Sequence, residues 1–409
     1  ERRSQAPPRA GMNAGRYRLD VGLLSACWAL AITGNILLVN ISSLVGYELA
    51  ADKSLATLPA AMLWIGTAAA TVPASFLMRR IGRRAGFMIG ALIGISGTAL
   101  AAHAAAVGSF MLLCLGILLM GAQNGFAYYY RFTAAEVAPD AFRSRAISLV
   151  MAGGVVAAVL GPTLARWSTG LFASSAYIGP FVAVGGLLAT IFILVAFIDV
   201  PRPAAQALRG GRPLGQIMRQ PAFAVAALAG AVAYGVMILV MSVSPLALIT
   251  HGHAFADAAF VIQWHALGMF VPAFFTGHLI RRFGVLDVMS WGAVLLVISA
   301  GVAWANDAMI NFWLAMTLLG VGWCFLFVGA TTLLTETHSI AERAKTQALN
   351  EFMVFGTAAV TSFLSGSVHH SFGWATLNLV ALPAVLAGLA ATLWLARRRA
   401  VYKVGGTAD

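Results

Sequence analysis

Apolar runs long enough to cross a bilayer recur along almost the whole chain. A run of about 18 or more apolar residues satisfies its own backbone only as a helix when it lies in hydrocarbon. Twelve such runs fall at roughly 20–46, 55–78, 85–107, 109–133, 146–168, 176–199, 221–250, 257–280, 286–305, 308–333, 347–368 and 374–396. The expected protein is therefore an all-α membrane protein. Hydrophobic residues make up 60% of the 409, and charged ones only 10%, against about 25% in soluble proteins. No cleavable leader is expected, because the first run is too long and further runs follow it.

The net charge of +12 does not mark a nucleic-acid partner, because the cations are sorted by side. Arginines crowd the N-terminal tail (Arg2, Arg3, Arg9, Arg16, Arg18) and the segment after run 2 (Arg79, Arg80, Arg83, Arg84). More follow run 6 (Arg202, Arg209, Arg212, Arg219), run 8 (Arg281, Arg282) and run 12 (Arg397, Arg398, Arg399, Lys403). Arg131, Arg143, Arg145, Arg343 and Lys345 lie around the 4–5 and 10–11 connections. Twelve crossings put all of these on one face, and only Lys53 and Arg166 on the other. Lys and Arg mark the cytoplasmic side, so both termini are expected there, with anionic lipid as a further attraction. Cys27, Cys114 and Cys324 sit in apolar runs, which argues against a disulfide framework. They read as small buried hydrophobes, with Cys27 and Cys324 as alternative thiol stops on a metal exit route.

The one long hydrophilic interruption, Pro201–Gln220, divides the chain into residues 1–200 and 221–409 with six runs each. The halves echo one another. Ser75-Phe-Leu-Met-Arg-Arg-Ile-Gly82 follows run 2, and Gly277-His-Leu-Ile-Arg-Arg-Phe-Gly284 follows run 8. Parallel six-helix repeats point to a transporter of the major facilitator type. The chain resembles the major facilitator superfamily over nearly its full length. The family's loop motif, Gly-x-Leu-Ala-Asp-Arg-x-Gly-Arg-Arg/Lys, is matched at Leu77, Arg80, Gly82, Arg83 and Arg84. It departs at Ser75, and at Arg79 where the family carries Asp. The resemblance implies two six-helix bundles, twelve transmembrane helices and alternating access. Gly161-Pro162 in run 5 partly matches an exporter motif and equally marks a helix kink. Gly86, Gly90 and Gly94 are spaced for close helix packing.

Four side chains stand out as a candidate site. Met237 and Met241 are four apart in run 7, and His265 and Met269 four apart in run 8, so each pair stacks on one helix face. Counted from the turn near His251–Asp257, the two rungs lie at roughly 13 Å and 19 Å depth on both runs. Thioethers and imidazole suit Cu(I) better than they suit Mg, Ca or Mn, and an ionisable residue inside a membrane marks function. A methionine stripe also serves as packing filler. In combination the two motifs resemble those of the CcoA-type copper importers, which feed cytochrome oxidase assembly. That resemblance implies copper as transported substrate rather than cofactor, with Met237, Met241, His265 and Met269 as ligands. It also implies a copper chaperone or periplasmic donor as partner.

Asn35, Asn40, Gln123, Asn124, Tyr128–Tyr130 and Trp264 are candidates to line a central cavity or to bond between helices. His251 and His253, with His103, His369 and His370 on the same side, read as solvated loop residues or as a capture site for incoming metal. Glu351, Glu136 and Glu336 are candidates for gate ion pairs or proton exchange. The alternative function is carriage of a vitamin-like or drug-like organic solute, which the polar and aromatic residues of runs 1 and 4 would serve. A proton-driven drug exporter is disfavoured because run 1 has no carboxylate between Val21 and Gly46. A sensor lacks its soluble domain. No nucleophile–base pair or phosphate-binding loop supports an enzyme.

Overall fold

A computed structural model describes residues 15–139, 142–172, 175–200, 211–339 and 342–405. The Arg2, Arg3 and Arg9 tail, residues 201–210 of the hydrophilic interruption and the side chains of Asn40 and Arg79 lie outside the described residues. The described residues form helices and no strands. In the first half these are α1 (Arg16–Leu49), α2 (Leu58–Ile81), α3 (Arg83–Val107), α4 (Phe110–Ala127), α5 (Tyr130–Val137), α6 (Arg143–Ser168) and α7 (Ile178–Ala196). In the second half they are α8 (Leu214–Met218), α9 (Pro221–Met241), α10 (Ser244–Thr250), α11 (Phe255–Phe270), α12 (Ala273–Phe283), α13 (Val285–Ala305), α14 (Met309–Thr335), α15 (Arg343–Val380) and α16 (Leu382–Gly405).

Among the described residues, ten segments are long and apolar enough to cross a membrane, and α11 with α12, bent by 41°, forms one more. One of the ten runs through 56 residues, Lys345–Ala400. At 1.5 Å per residue it would extend to about 84 Å, far beyond a ~30 Å hydrocarbon core. It breaks at Gly373, whose φ of 77° and ψ of 179° are not helical, so it supplies two crossings. The total is then the twelve that the apolar runs call for. Breaks inside single crossings have local causes. Pro245 opens α10 and Pro272 precedes α12. Each lacks the N–H that would continue the preceding helix.

The internal repeat persists in the backbone. Gly82 separates α2 from α3 at φ 96°, ψ 159°, and Gly284 separates α12 from α13 at φ 99°, ψ 153°. These dihedrals are open to glycine and strained for other residues. A second echo lies at the helix crossings. In the first half a Cβ on Gly66 or Gly121 would collide with the carbonyls of Leu118 and Leu63 across α2 and α4. In the second half Gly268 and Gly320 stand in the same relation to Thr317 and His265 across α11 and α14. Backbones meet there because side chains are absent.

Two buried cores result. One is built from residues between Val21 and Ile198. The other runs from Ile217 to Leu395 and takes in Val39, Leu44, Ala56 and Trp64 of the first half. The seam between the halves is formed chiefly by α2 against α15 and α6 against α11.

Candidate functional site

Aromatic rings from both halves converge on this seam. Trp28 of α1 meets Tyr128 edge to face at 5.6 Å, and Tyr128 meets Phe355 of α15 at 4.8 Å. Trp64 of α2 stacks on Phe355 at 6.1 Å and meets Tyr234 of α9 edge to face at 5.7 Å. Tyr234 continues to Trp323 and Phe327 of α14 at 5.6 Å and 5.2 Å. The Tyr128 and Tyr234 hydroxyls lie 3.4 Å apart, one from each half. Tyr128 sits at the break between α4 and α5. Each ring pair contributes about 0.5–1.5 kcal/mol beyond its buried area.

A polar rung lies within the first half, two turns from Trp28 along α1 and one turn before Tyr128. Asn35 Nδ2 donates to Asn124 Oδ1 at 2.9 Å, and Asn124 Nδ2 donates to Asn35 Oδ1 at 2.9 Å. Amides inside apolar helices need partners, and these two satisfy one another across α1 and α4. Towards the arginine-rich side the cluster is closed by charge, with Arg131 Nη2 3.4 Å from Glu351 Oε1. Glu351 precedes Phe355 by four residues on one face of α15, and Arg131 lies three residues beyond Tyr128, past the α4–α5 break.

The sequence candidates divide. Tyr128 and Glu351 are brought together at the seam, and Asn35 pairs with Asn124 within the first half. Gln123 joins neither, since its stem packs on Gly94 of α3. It borders, with Asn35, a narrow pocket between α1, α4 and α7 that has room for about one water. Trp264 is 38% exposed and meets Phe260 and Trp313 rather than the ring cluster.

Met237, Met241, His265 and Met269 are all buried. Runs 7 and 8 meet through α10 against α11, while α9, which bears Met237 and Met241, packs chiefly on α15 and α14, and α11, which bears His265 and Met269, on α14 and α6. Met237 and Met241 follow Tyr234 by three and seven residues and belong to the apolar core that reaches the seam. His265 Nδ1 faces the Met316 carbonyl oxygen at 2.8 Å, which makes Nδ1–H the donor. Its Nε2 is buried without a partner.

On the opposite side His251 and His253 gather about one position. His251 Nε2 lies 3.6 Å from Asp307 Oδ2, His253 Nε2 lies 3.2 Å from the Asp307 carbonyl oxygen, and both rings lie 5.8 Å from Phe312. Among the described residues, no three His, Cys, Asp or Glu side chains converge as metal ligands. His103 is exposed on α3. Cys27 and Cys324 are buried in separate cores. Glu136 pairs with Arg83 at 2.6 Å and Glu336 with Arg399 at 2.8 Å, each within its own half.

Trp28, Trp64, Tyr234, Trp323 and Phe355 were not among the candidates. Tyr234 shares its helix face with Met237 and Met241, and that register was the available signal.

Helices, repeat and seam define a multi-pass membrane transporter, and the chain belongs to the major facilitator superfamily. The family's profile matches residues 23–284 and again 227–407. It is similar to the "Riboflavin transporter RfnT" of Brucella anthropi, at 40% identity over 91% of this chain and 94% of that one. An "Uncharacterized MFS-type transporter YddS" of Bacillus subtilis is 28% identical over 85% of this chain and 86% of its own. The fold is similar to that of FucP, a major facilitator transporter crystallised in the outward conformation. The TM-score is 0.64 at 17% identity, over 93% of this chain and 99% of that one. None of these three is described as a copper carrier. The family consists of transporters, not enzymes.

Proposed function

We propose that the chain carries a planar, aromatic organic solute of the flavin type, riboflavin first among them. The carrying observation is the aromatic cluster at the seam, flanked by the Asn35–Asn124 amides. Flat faces of tryptophan, tyrosine and phenylalanine suit a fused-ring solute, and amides suit its polar edge. The 40% identical relative, described as a riboflavin transporter, supports the same solute class. In this reading residues 1–200 and 221–409 are the two bundles, joined by 201–220. The arginine-rich side is cytoplasmic, the membrane is a bacterial inner membrane, and alternating access parts the rings of the two halves. The test is uptake of labelled riboflavin by a riboflavin-auxotrophic bacterium with and without this protein. Protein-dependent accumulation supports the proposal, and its absence in cells with verified membrane expression contradicts it.

Copper import keeps one supporting observation. His265 donates Nδ1–H to a backbone carbonyl and leaves Nε2 buried and free, an arrangement that metal-ligating histidines adopt. Against it, α9 and α11, which bear the two pairs, make most of their contacts with other helices. Copper accumulation in the same cells separates the two readings.

A further inference from the structure

We infer that Asn35 and Asn124 read the solute's edge, and that the edge they select is a cyclic imide, a ring N–H flanked by carbonyl groups. This rests on the flavin reading above and names the residues that give it specificity.

The amide pair bridges two helices that otherwise touch only lightly. α1 packs on α6 and α7, α4 packs on α2 and α3, and α1 with α4 makes few other contacts. Both amides reach across that gap to form a closed ring of two 2.9 Å hydrogen bonds. Each presents one acceptor and one donor to the other. Asn124 is buried and Asn35 partly so. Helical register places them beside the aromatic rings. Asn35 lies seven residues beyond Trp28 on α1, and Asn124 four residues before Tyr128 on α4. Both spacings keep one helix face, so a ring seated against Trp28 and Tyr128 would extend its edge to the amides.

A buried amide opened without replacement leaves donors and acceptors unsatisfied. The pair therefore yields only to a solute that offers the same pattern. An imide edge meets three of the four groups so freed, all but Asn35 Oδ1. Its N–H would donate to Asn124 Oδ1, one flanking carbonyl would accept from Asn124 Nδ2, and the other from Asn35 Nδ2. The pyrimidinedione ring of a flavin carries this acceptor–donor–acceptor edge. A solute of equal size without the N–H would leave an acceptor bare, and sites that hydrogen-bond a substrate reject such analogues strongly.

The experiment uses the purified full-length protein in lipid nanodiscs and measures quenching of flavin fluorescence on binding. Riboflavin is compared with riboflavin methylated at the imide nitrogen, first on the wild type and then on the double variant Asn35→Leu/Asn124→Leu. The wild type should prefer riboflavin by about 10- to 100-fold, the factor for one unsatisfied buried group. The double variant should bind both compounds with nearly equal affinity. Retained binding of the methylated compound shows that the variant is folded. If the wild type binds both compounds equally, the pair is an interhelical clasp and the inference falls while the flavin reading stands. If the wild type discriminates and the double variant discriminates equally, another residue reads the edge and the inference falls. If the wild type binds neither compound, the flavin reading fails and takes this inference with it.

Discussion

Met241 is where the flavin and copper readings part most sharply. It lies seven residues beyond Tyr234 on α9, buried among apolar neighbours of the seam. As wall it needs only volume, and leucine supplies that within about 1.5 kcal/mol. As ligand it needs sulfur. Met237→Leu and Met241→Leu should therefore leave initial rates of riboflavin uptake within about twofold of the parent. A loss of copper accumulation in the same variants would restore the metal reading. Residues at this scale were unevenly legible. Asn35, Asn124 and Glu351 could be singled out because polar groups inside apolar helices are costly and need a reason. Trp28, Trp64 and Phe355 could not, because an aromatic residue in an apolar run reads the same whether it faces lipid, core or solute. Only the packing of α1, α2 and α15 around the seam distinguishes them.

Crossings and junctions carry the argument at the scale of helices. Gly121 and Gly320 let paired helices approach until a backbone carbonyl occupies the place of a side chain. A carbonyl cannot rotate away as a side-chain tip can. Gly121→Ala and Gly320→Ala should each destabilise the protein by about 1–3 kcal/mol, the usual cost of overpacking. A lowered midpoint in thermal unfolding of detergent-solubilised protein would show it, and an unchanged midpoint would contradict the crossing argument. At the Gly320 contact His265 occupies the Leu63 position of the repeat, and its ring hydrogen-bonds the Met316 carbonyl of α14.

A second junction is ionic. Arg212 bonds Glu342 at 2.8 Å and its backbone N–H donates to the same carboxylate at 2.7 Å, joined by the Ser339 N–H at 2.9 Å. The Arg212 guanidinium, with the Ser339 N–H, holds the Glu342 carboxyl well below the usual carboxylate range. A depressed carboxyl contributes stability above its unfolded pKa of about 4.3, and loses that contribution as pH falls through the folded value. Glu342→Gln should lower the unfolding midpoint at pH 7 and pH 5. Its difference from wild type should close as pH falls below about 4. Apolar runs made the twelve crossings legible, because hydrocarbon leaves the backbone no alternative. The packing of α9 and α11 was not, because adjacency in sequence does not decide which helices touch in a bundle.

Across the whole molecule, the seam is held at both ends. Arg131 pairs with Glu351 on the arginine-rich side. On the other, Thr57 Oγ1 accepts from the Gly366 N–H at 2.9 Å and Ser367 Oγ donates to the Ser54 carbonyl at 3.4 Å. Alternating access must break one set while keeping the other. Arg131 and Glu351 are each less than a fifth exposed, so removing one leaves the other charge buried and uncompensated. Arg131→Gln and Glu351→Gln should each lower initial uptake by about tenfold or more, and the double variant should be less impaired than either. Additive losses would contradict a coupled pair. The central claim is carriage of a flavin-type solute through the aromatic seam. It is tested most directly by counterflow into liposomes holding the purified protein and unlabelled riboflavin. The account predicts transient accumulation of labelled riboflavin, unaffected by copper and abolished by Tyr234→Ala. No accumulation of riboflavin in liposomes that accumulate copper would contradict it.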